Sequence, residues 1–200
     1  MKEQPLKSRI LSASRNMLFE EGFKSLSMRK IASEIGVSAT SIYLYFKNKD
    51  HLLHTLMEES IETLSVSLEQ AANSETSPAG KIEAVIKAYV HFALENPSEY
   101  QIIYLVKTDD MARYPKEKFR KARRGYDLLA NAIEEGVLSG ELQVRDSLIA
   151  AYSIWAQLHG IISVVMNNRL DKRIDQGSFI ESSIEQIVHG FLVRSMVNNF

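Results

Sequence analysis

The chain of 200 residues contains no cysteine. This excludes disulfide bridges, thiolate zinc sites and a cysteine nucleophile, and it is typical of a reducing cytoplasm. Only four prolines and nine glycines are present, whereas an all-β chain needs many tight turns built from these residues. No apolar run approaches the ~20 residues of a membrane span, and the first residues lack the apolar segment of a signal peptide. We therefore expect a soluble, cytoplasmic protein with long helices and no membrane partner.

The composition is that of an ordinary globular protein, with 45% hydrophobic and 24% charged residues. This length buries a core without disulfides or a structural metal. The net charge of −1 conceals an asymmetry: residues 1–50 carry nine Lys or Arg against five Asp or Glu, whereas the remaining residues carry 15 against 20. A basic segment before an acidic body indicates an anionic partner at the N-terminal end.

Hydrophobic residues recur at helical spacing along nearly the whole chain. In the first helix, 6–21, they fall on one face, and Gly22 follows as a stop signal. The same pattern predicts further helices at 28–35, 39–46, 50–72, 79–95, 98–107, 115–138, 146–167 and 177–198. The sequence therefore predicts an all-α protein, with a three-helix N-terminal head (residues 1–50) and a larger helical body (residues 51–200).

The second and third helices are short and are separated by a turn at Gly36. Ser27 and Ser38 are the expected N-caps, because each precedes a run with one apolar face. Two such helices bury their faces only against each other and a supporting helix, which is the arrangement of a helix-turn-helix. The outward face of the third helix then carries side chains suited to base edges, and basic residues suited to phosphates surround it. These are Ala39, Thr40, Tyr43 and Leu44, with Arg29, Lys47 and Lys49 around them.

The stretch SRILSASRNMLFEEGFKSLSMRKIASEIGVSATSIYLYFKNKDHLL resembles the DNA-binding domain of the TetR family of bacterial repressors over about the first 55 residues. The likeness includes Gly36-Val37-Ser38, Tyr43-x-Tyr45-Phe46 and Lys49-x-x-Leu52. The resemblance implies a C-terminal domain that binds a ligand and dimerises. It also implies two sets of DNA-binding residues. Those expected at the DNA backbone are Ser27, Tyr43, Tyr45 and Lys49, and those expected near bases are Arg29, Ala39, Thr40, Ser41 and Leu44.

Aromatic residues with polar tips are frequent in the body. Each one singly is typical of core packing, but together they suit the lining of a small-molecule pocket between helices. We therefore predict a site for an apolar or aromatic effector, with a histidine or a tyrosine hydroxyl fixing its orientation. The predicted ligand-binding residues are Tyr89, Phe92, Tyr104, Tyr126, Trp155 and His159.

The segment from Ser147 to Met166 is apolar almost all round and needs cover on more than one side. The last helix carries an apolar stripe of its own, formed by Ile180, Ile184, Ile187, Val188 and Phe191. Pairing both helices with their symmetry mates predicts a homodimer through about 146–167 and 177–198. Introducing charge by Ile184→Glu is then expected to give monomers.

No catalytic residues, metal ligands or cofactor are predicted, since the sequence lacks GxGxxG, GxxxxGK[ST], GxSxG and HExxH patterns. We interpret the chain as a ligand-responsive transcriptional repressor that binds a double-stranded, palindromic operator as a homodimer. The alternative is a helical enzyme or metal-binding bundle with an incidental helix-turn-helix. An activator or a constitutive DNA binder is equally compatible with the sequence.

Overall fold

The computed structural model describes residues 5–104 and 119–192. All regular structure in these residues is helical, which confirms the predicted all-α fold. A single 3₁₀ turn, Phe23–Ser25, precedes the second α-helix. The α-helices are α1 (Leu6–Glu21), α2 (Met28–Glu34), α3 (Ala39–Tyr43), α4 (Lys49–Asn73), α5 (Pro78–Glu95), α6 (Pro97–Tyr104), α7 (Phe119–Leu138), α8 (Ser147–Met166) and α9 (Gln176–Leu192).

The two short helices begin at the predicted N-caps, and the predicted glycine follows the end of α2. The Ser27 hydroxyl oxygen accepts a hydrogen bond from the Lys30 backbone N–H at 3.2 Å, and the Ser38 hydroxyl oxygen accepts one from the Ser41 N–H at 3.2 Å. Gly36 has φ +69°, in the left-handed region where a glycine avoids strain. These local signals place the turn between α2 and α3 where the sequence predicts it.

The first of two compact units holds the chain up to Glu62 together with Asn96–Lys121. Its core buries the apolar faces of α1, α2 and α3. The unit extends past the boundary predicted at residue 50, because residues of α4 and α6 complete this core. They are Leu52, Leu53 and Leu56 of α4 and Ile102 of α6.

Ion pairs also hold α4 and α6 to the first helix. Arg15 of α1 places its guanidinium 3.4 Å from a carboxylate oxygen of Glu59 and 3.3 Å from one of Glu99. The Ser98 hydroxyl donates to the other carboxylate oxygen of Glu99 at 2.7 Å. Because Arg15 and Glu99 are only partly exposed, solvent screens this pairing less than it screens a pair on the open surface.

The second compact unit comprises Thr63–Glu95 and the chain from Ala122 onward. In this unit α5 packs against α8 and α9, and α8 packs against α9. The apolar stripe of α9 faces this packing: Ile184, Ile187 and Val188 are 8%, 4% and 6% exposed. The prediction that Ile184 lies at a dimer interface is therefore wrong, because its own subunit covers it. The side chain of Phe191 and residues 193–198 of the predicted interface lie outside the described residues.

The most apolar helix is α8, with a mean hydropathy of 1.6. By length and composition alone it is able to cross a membrane, which differs from the expectation that no segment approaches such a span. The sequence pattern obscured this because scattered polar residues such as Ser153 and Gln157 interrupt an otherwise apolar segment. One such helix is weak evidence for a span, since the core helix of a soluble protein passes the same test. Only a third of the segment is buried in the structure.

Candidate DNA interface and ligand-binding body

The helix-turn-helix leaves one surface of α3 uncovered. Met28 and Ile31 of α2 and Ile42 of α3 are buried in the head core. The Arg9 side chain of α1 donates to the backbone carbonyl of Ile35, just past the end of α2, at 2.6 Å. Since α1 and α2 hold the inner side of α3, its outer side is available for contact with another molecule.

Large side chains stand exposed at this outer side. Tyr43 is 52% exposed, Leu44 81% and Tyr45 43%, and Thr40 beside them is also exposed. We call these four residues the α3 surface. Apolar side chains grouped on a surface in this way mark an interaction site more often than isolated ones do. The structure thus brings together the side chains that the sequence assigns to DNA.

The remaining predicted DNA-binding residues belong to the same helix-turn-helix or directly follow it. Arg29 of α2 is exposed, and Ala39 is half-buried at the first turn of α3. Ser27 and Ser41 take part in the caps described above, where the Ser41 hydroxyl lies 2.9 Å from that of Ser38. As an acceptor in its cap, the Ser27 hydroxyl keeps its proton to donate to a phosphate oxygen.

Lys49 is held more firmly than the sequence suggests. Its ammonium donates to the Phe23 backbone carbonyl at 2.7 Å and lies 3.7 Å from the centre of the Phe23 ring. Burial lowers the pKa of Lys49 from its ordinary value, and the charge of Asp50 partly opposes this shift. An ammonium has three N–H donors, so this arrangement leaves donors for a phosphate. The predicted phosphate contact of Lys49 stays a prediction.

Four of the predicted ligand-binding residues meet in the second unit. The Trp155 ring of α8 lies 5.4 Å from that of Tyr126 and 4.6 Å from that of His159, between ring centroids. The Trp155 indole N–H donates to the Tyr89 hydroxyl at 3.0 Å, and that hydroxyl lies 3.5 Å from Nδ1 of His159. Tyr152 stacks on Tyr126 at 4.7 Å with the planes 9° apart. We call these five residues the aromatic cluster.

The sequence prediction omits Tyr152, although a signal for it exists. Tyr152, Trp155 and His159 are spaced i, i+3, i+7 and so share one face of α8. Of the other predicted residues, Phe92 is buried on α5, and Tyr104 lies in the first unit, where its ring packs 5.1 Å from that of Tyr100. The assignment of Tyr104 to the same site as the cluster stays a prediction.

Three polar groups of the aromatic cluster, the Trp155 indole N–H, the Tyr89 hydroxyl and Nδ1 of His159, are joined by hydrogen bonds. These three groups therefore have partners within the protein, and the ligand-binding role of the aromatic cluster stays a prediction. Burial lowers the pKa of His159 from its ordinary value of 6.5. A neutral imidazole packed against Trp155 and Tyr89 suits an apolar environment better than a charged one does.

Stability is expected to fall as the pH drops below about 6.5, because the folded state holds the His159 proton less tightly than the unfolded chain. At pH values between the lowered pKa of the folded state and the ordinary pKa of the unfolded chain, the unfolded chain binds more protons than the folded state. The free energy of unfolding therefore rises with pH in this range. Thermal unfolding measured at about pH 7.5 and about pH 5.5 tests this. His159→Gln is expected to reduce the change between the two pH values, whereas His189→Gln, at an exposed histidine, is expected to preserve it. An undiminished change in His159→Gln would contradict this assignment.

Residues 10–56 match the family of bacterial regulatory proteins, tetR family, and residues 82–191 match the tetracyclin repressor-like, C-terminal domain. The second match alone covers more than half of the chain. The chain belongs to the TetR family. It is a DNA-binding transcriptional regulator, and the helix-turn-helix described above is the DNA-binding domain of this family.

Individual relatives span almost the whole of this TetR-family chain. It is 25% identical over 191 residues to the fatty acid metabolism regulator protein of Bacillus subtilis, which covers 94% of this chain and 96% of that protein. The structure of FadR from Bacillus subtilis in complex with stearoyl-CoA is 24% identical, with a TM-score of 0.74 over 92% of this chain and 98% of that one. A protein of unknown function from Rhodococcus sp. RHA1 gives a TM-score of 0.80 at 22% identity, over 96% and 97% of the two chains. The solved structures share the fold.

Proposed function

We propose that this TetR-family regulator is a cytoplasmic, homodimeric repressor that binds a palindromic operator and is released from it by a long-chain fatty acyl-CoA. The observation that carries the DNA-binding part is the α3 surface, where Tyr43 and Leu44 stand exposed at the end of a helix that packs with α1 and α2 in one core. A helix of this kind enters the major groove, where small and apolar side chains read base edges and hydroxyls bind phosphates.

The dimer is proposed to form mainly through α8. Its exposed positions include Ile149, Ala156 and Gly160, which recur on one side of the helix. Ile149 is 65% exposed, so an apolar helix of the monomer leaves much of its surface in water. Burying this side against a second copy removes that surface from water. A two-fold axis then relates the two α3 surfaces, and the operator is palindromic for that reason.

The acyl-CoA part rests on two matches to fatty acid regulators of Bacillus subtilis. The sequence match is named as a regulator of fatty acid metabolism, and the structure match was solved with stearoyl-CoA. The helical body of this chain offers aromatic rings suited to an acyl chain, and we place the effector beside Trp155 in the aromatic cluster. The effector relieves repression only if it binds more tightly to the dimer conformation that cannot bind DNA than to the conformation that binds DNA.

Operator DNA from the region upstream of the chain's own gene, labelled for fluorescence anisotropy, tests the proposal. The DNA is expected to bind with a strong salt dependence, and stearoyl-CoA is expected to weaken binding about tenfold or more, a coupling of about 1.4 kcal/mol. The single Trp155 is expected to change its fluorescence over the same stearoyl-CoA concentrations.

Coenzyme A and stearate, each alone, are the controls for the two parts of the effector. Release of DNA by coenzyme A alone would contradict a role for the acyl chain. Binding of DNA that is insensitive to stearoyl-CoA would contradict the effector while leaving the DNA-binding role in place. A Trp155 signal that does not follow DNA release would contradict the placement beside the aromatic cluster.

A further inference from the structure

A groove of about 740 Å³ runs between α5 and α9 in the second unit. Its volume lies within the range of small-molecule sites, which is roughly 300 to 1,000 Å³. The residues that line it include none of those in the aromatic cluster or in the predicted ligand-binding set. They are Glu83, Lys87, Ala88, Val90, His91, Leu94, Ile180, Glu181, Ile184, Glu185, Val188 and His189.

The middle of the groove is apolar. Ala88 and Leu94 of α5 face Ile180, Ile184 and Val188 of α9 across it. Those of α9 recur four positions apart and form one apolar strip, and on α5 Leu94 follows Val90, another lining residue, by four positions and forms a shorter strip. An apolar strip bordered by charged residues suits a ligand with an extended hydrocarbon part and a polar end.

The charged residues that border the groove are mostly acidic. Glu83, Glu181 and Glu185 are opposed by one lysine, Lys87, whose ammonium lies 2.6 Å from the carboxylate of Glu83. The pairing of Lys87 with Glu83 leaves the two carboxylates of α9 as the excess charge. His189 also lies at this border, 3.9 Å from Glu185.

The other histidine at the border is turned toward an acid of its own helix. Nε2 of His91 lies 2.8 Å from a carboxylate oxygen of Glu95. Its imidazole therefore pairs with Glu95 of α5 and not with a carboxylate of α9. With both imidazoles neutral, the four charged lining residues sum to −2. A negative charge at the groove disfavours binding of the phosphates of coenzyme A and favours binding of a cation.

We propose that the α5–α9 groove is a second ligand site, which binds an apolar chain carrying a positively charged head group. The hydrocarbon part lies along the strips of α5 and α9, and the head group lies beside Glu181 and Glu185. This site differs from the proposed acyl-CoA site in its negative charge and in the residues that line it. The proposal for this site does not depend on acyl-CoA binding.

Isothermal titration of the full-length protein with dodecyltrimethylammonium, below its micelle concentration, tests the site. The titration is run at about pH 8, where an imidazole is uncharged. One cation per chain is expected to bind. Glu181→Gln together with Glu185→Gln is expected to weaken its binding about fivefold or more, as the loss of two exposed charges predicts.

Two further variants separate charge from shape. Glu134→Gln with Glu141→Gln removes two exposed carboxylates outside the groove and is expected to leave binding unchanged. Ala88→Phe fills the groove and is expected to abolish binding, and helicity measured by circular dichroism verifies that each variant is folded. No binding to the wild type, or binding that survives Ala88→Phe, would overturn the site. Equal binding to both glutamine pairs would overturn its selectivity for cations. None of these outcomes involves DNA or acyl-CoA.

Discussion

Tyr43→Ala is expected to weaken operator binding about 100-fold or more without lowering the melting temperature. Tyr43 is 52% exposed, so its ring contributes little to the head core. Its hydroxyl is expected to donate to a phosphate, and a hydrogen bond to a charged group is worth about 1.5 to 3 kcal/mol. A dimer loses this contact twice, so the total loss is about 3 to 6 kcal/mol, more than 100-fold in Kd.

Phe19→Ala is a matched control for this substitution. Phe19 is 47% exposed but lies on α1, outside the helix-turn-helix, so its removal is expected to leave operator binding unchanged. Tyr43→Phe keeps the ring and removes only the hydroxyl, and an intermediate loss is expected if both parts contact DNA. Anisotropy titrations of the three variants, with thermal unfolding of each, make the comparison. Equal operator affinity of Tyr43→Ala and the wild type would exclude Tyr43 from the interface.

Gly160→Glu is expected to convert the dimer into folded monomers that bind the operator at least about 100-fold more weakly. An added Cβ at Gly160 meets no atom within 4 Å in the single chain, so the substitution has room in the monomer. Replacing a glycine inside a helix also favours the helix by roughly 0.5 to 1 kcal/mol. In the proposed α8 interface, however, two glutamates would be buried without partners, at a cost of several kcal/mol per ion.

Sedimentation and circular dichroism distinguish loss of the dimer from loss of the fold. Asn131→Glu introduces the same charge at an exposed position of α7 and is expected to remain dimeric. Ile184→Glu is expected to unfold the second unit, because Ile184 is 8% exposed and lies against its own subunit. A dimeric Gly160→Glu protein, or a wild type that is monomeric at micromolar concentration, would contradict the proposed interface.

The head was predictable because its signals are local. Ser27 and Ser38 each reach a backbone N–H three residues ahead, and Gly36 adopts a conformation that other residues avoid. Such interactions depend on neighbours in the sequence and hardly on the rest of the fold. The third helix ends at Tyr43 rather than at Phe46, because the chain tightens there and the Tyr45 N–H donates to the Ile42 carbonyl at 2.9 Å.

The apolar stripe of α9 shows what periodicity leaves undecided. Regular spacing establishes that a helix has a face to bury, but it does not name the surface that covers that face. The sequence pattern predicts Ile184 at an interface with a second copy, but packing with α5 and α8 buries it in its own subunit.

The amino-acid sequence by itself determined the all-α class, the caps and turn of the helix-turn-helix, and which side of α3 is exposed. These follow from interactions between residues a few positions apart. Only the tertiary structure decided that α6 contributes Ile102 to the head core and that Tyr126 of α7 stacks on Tyr152 of α8. Those contacts join residues far apart along the chain, and their geometry depends on how whole helices pack.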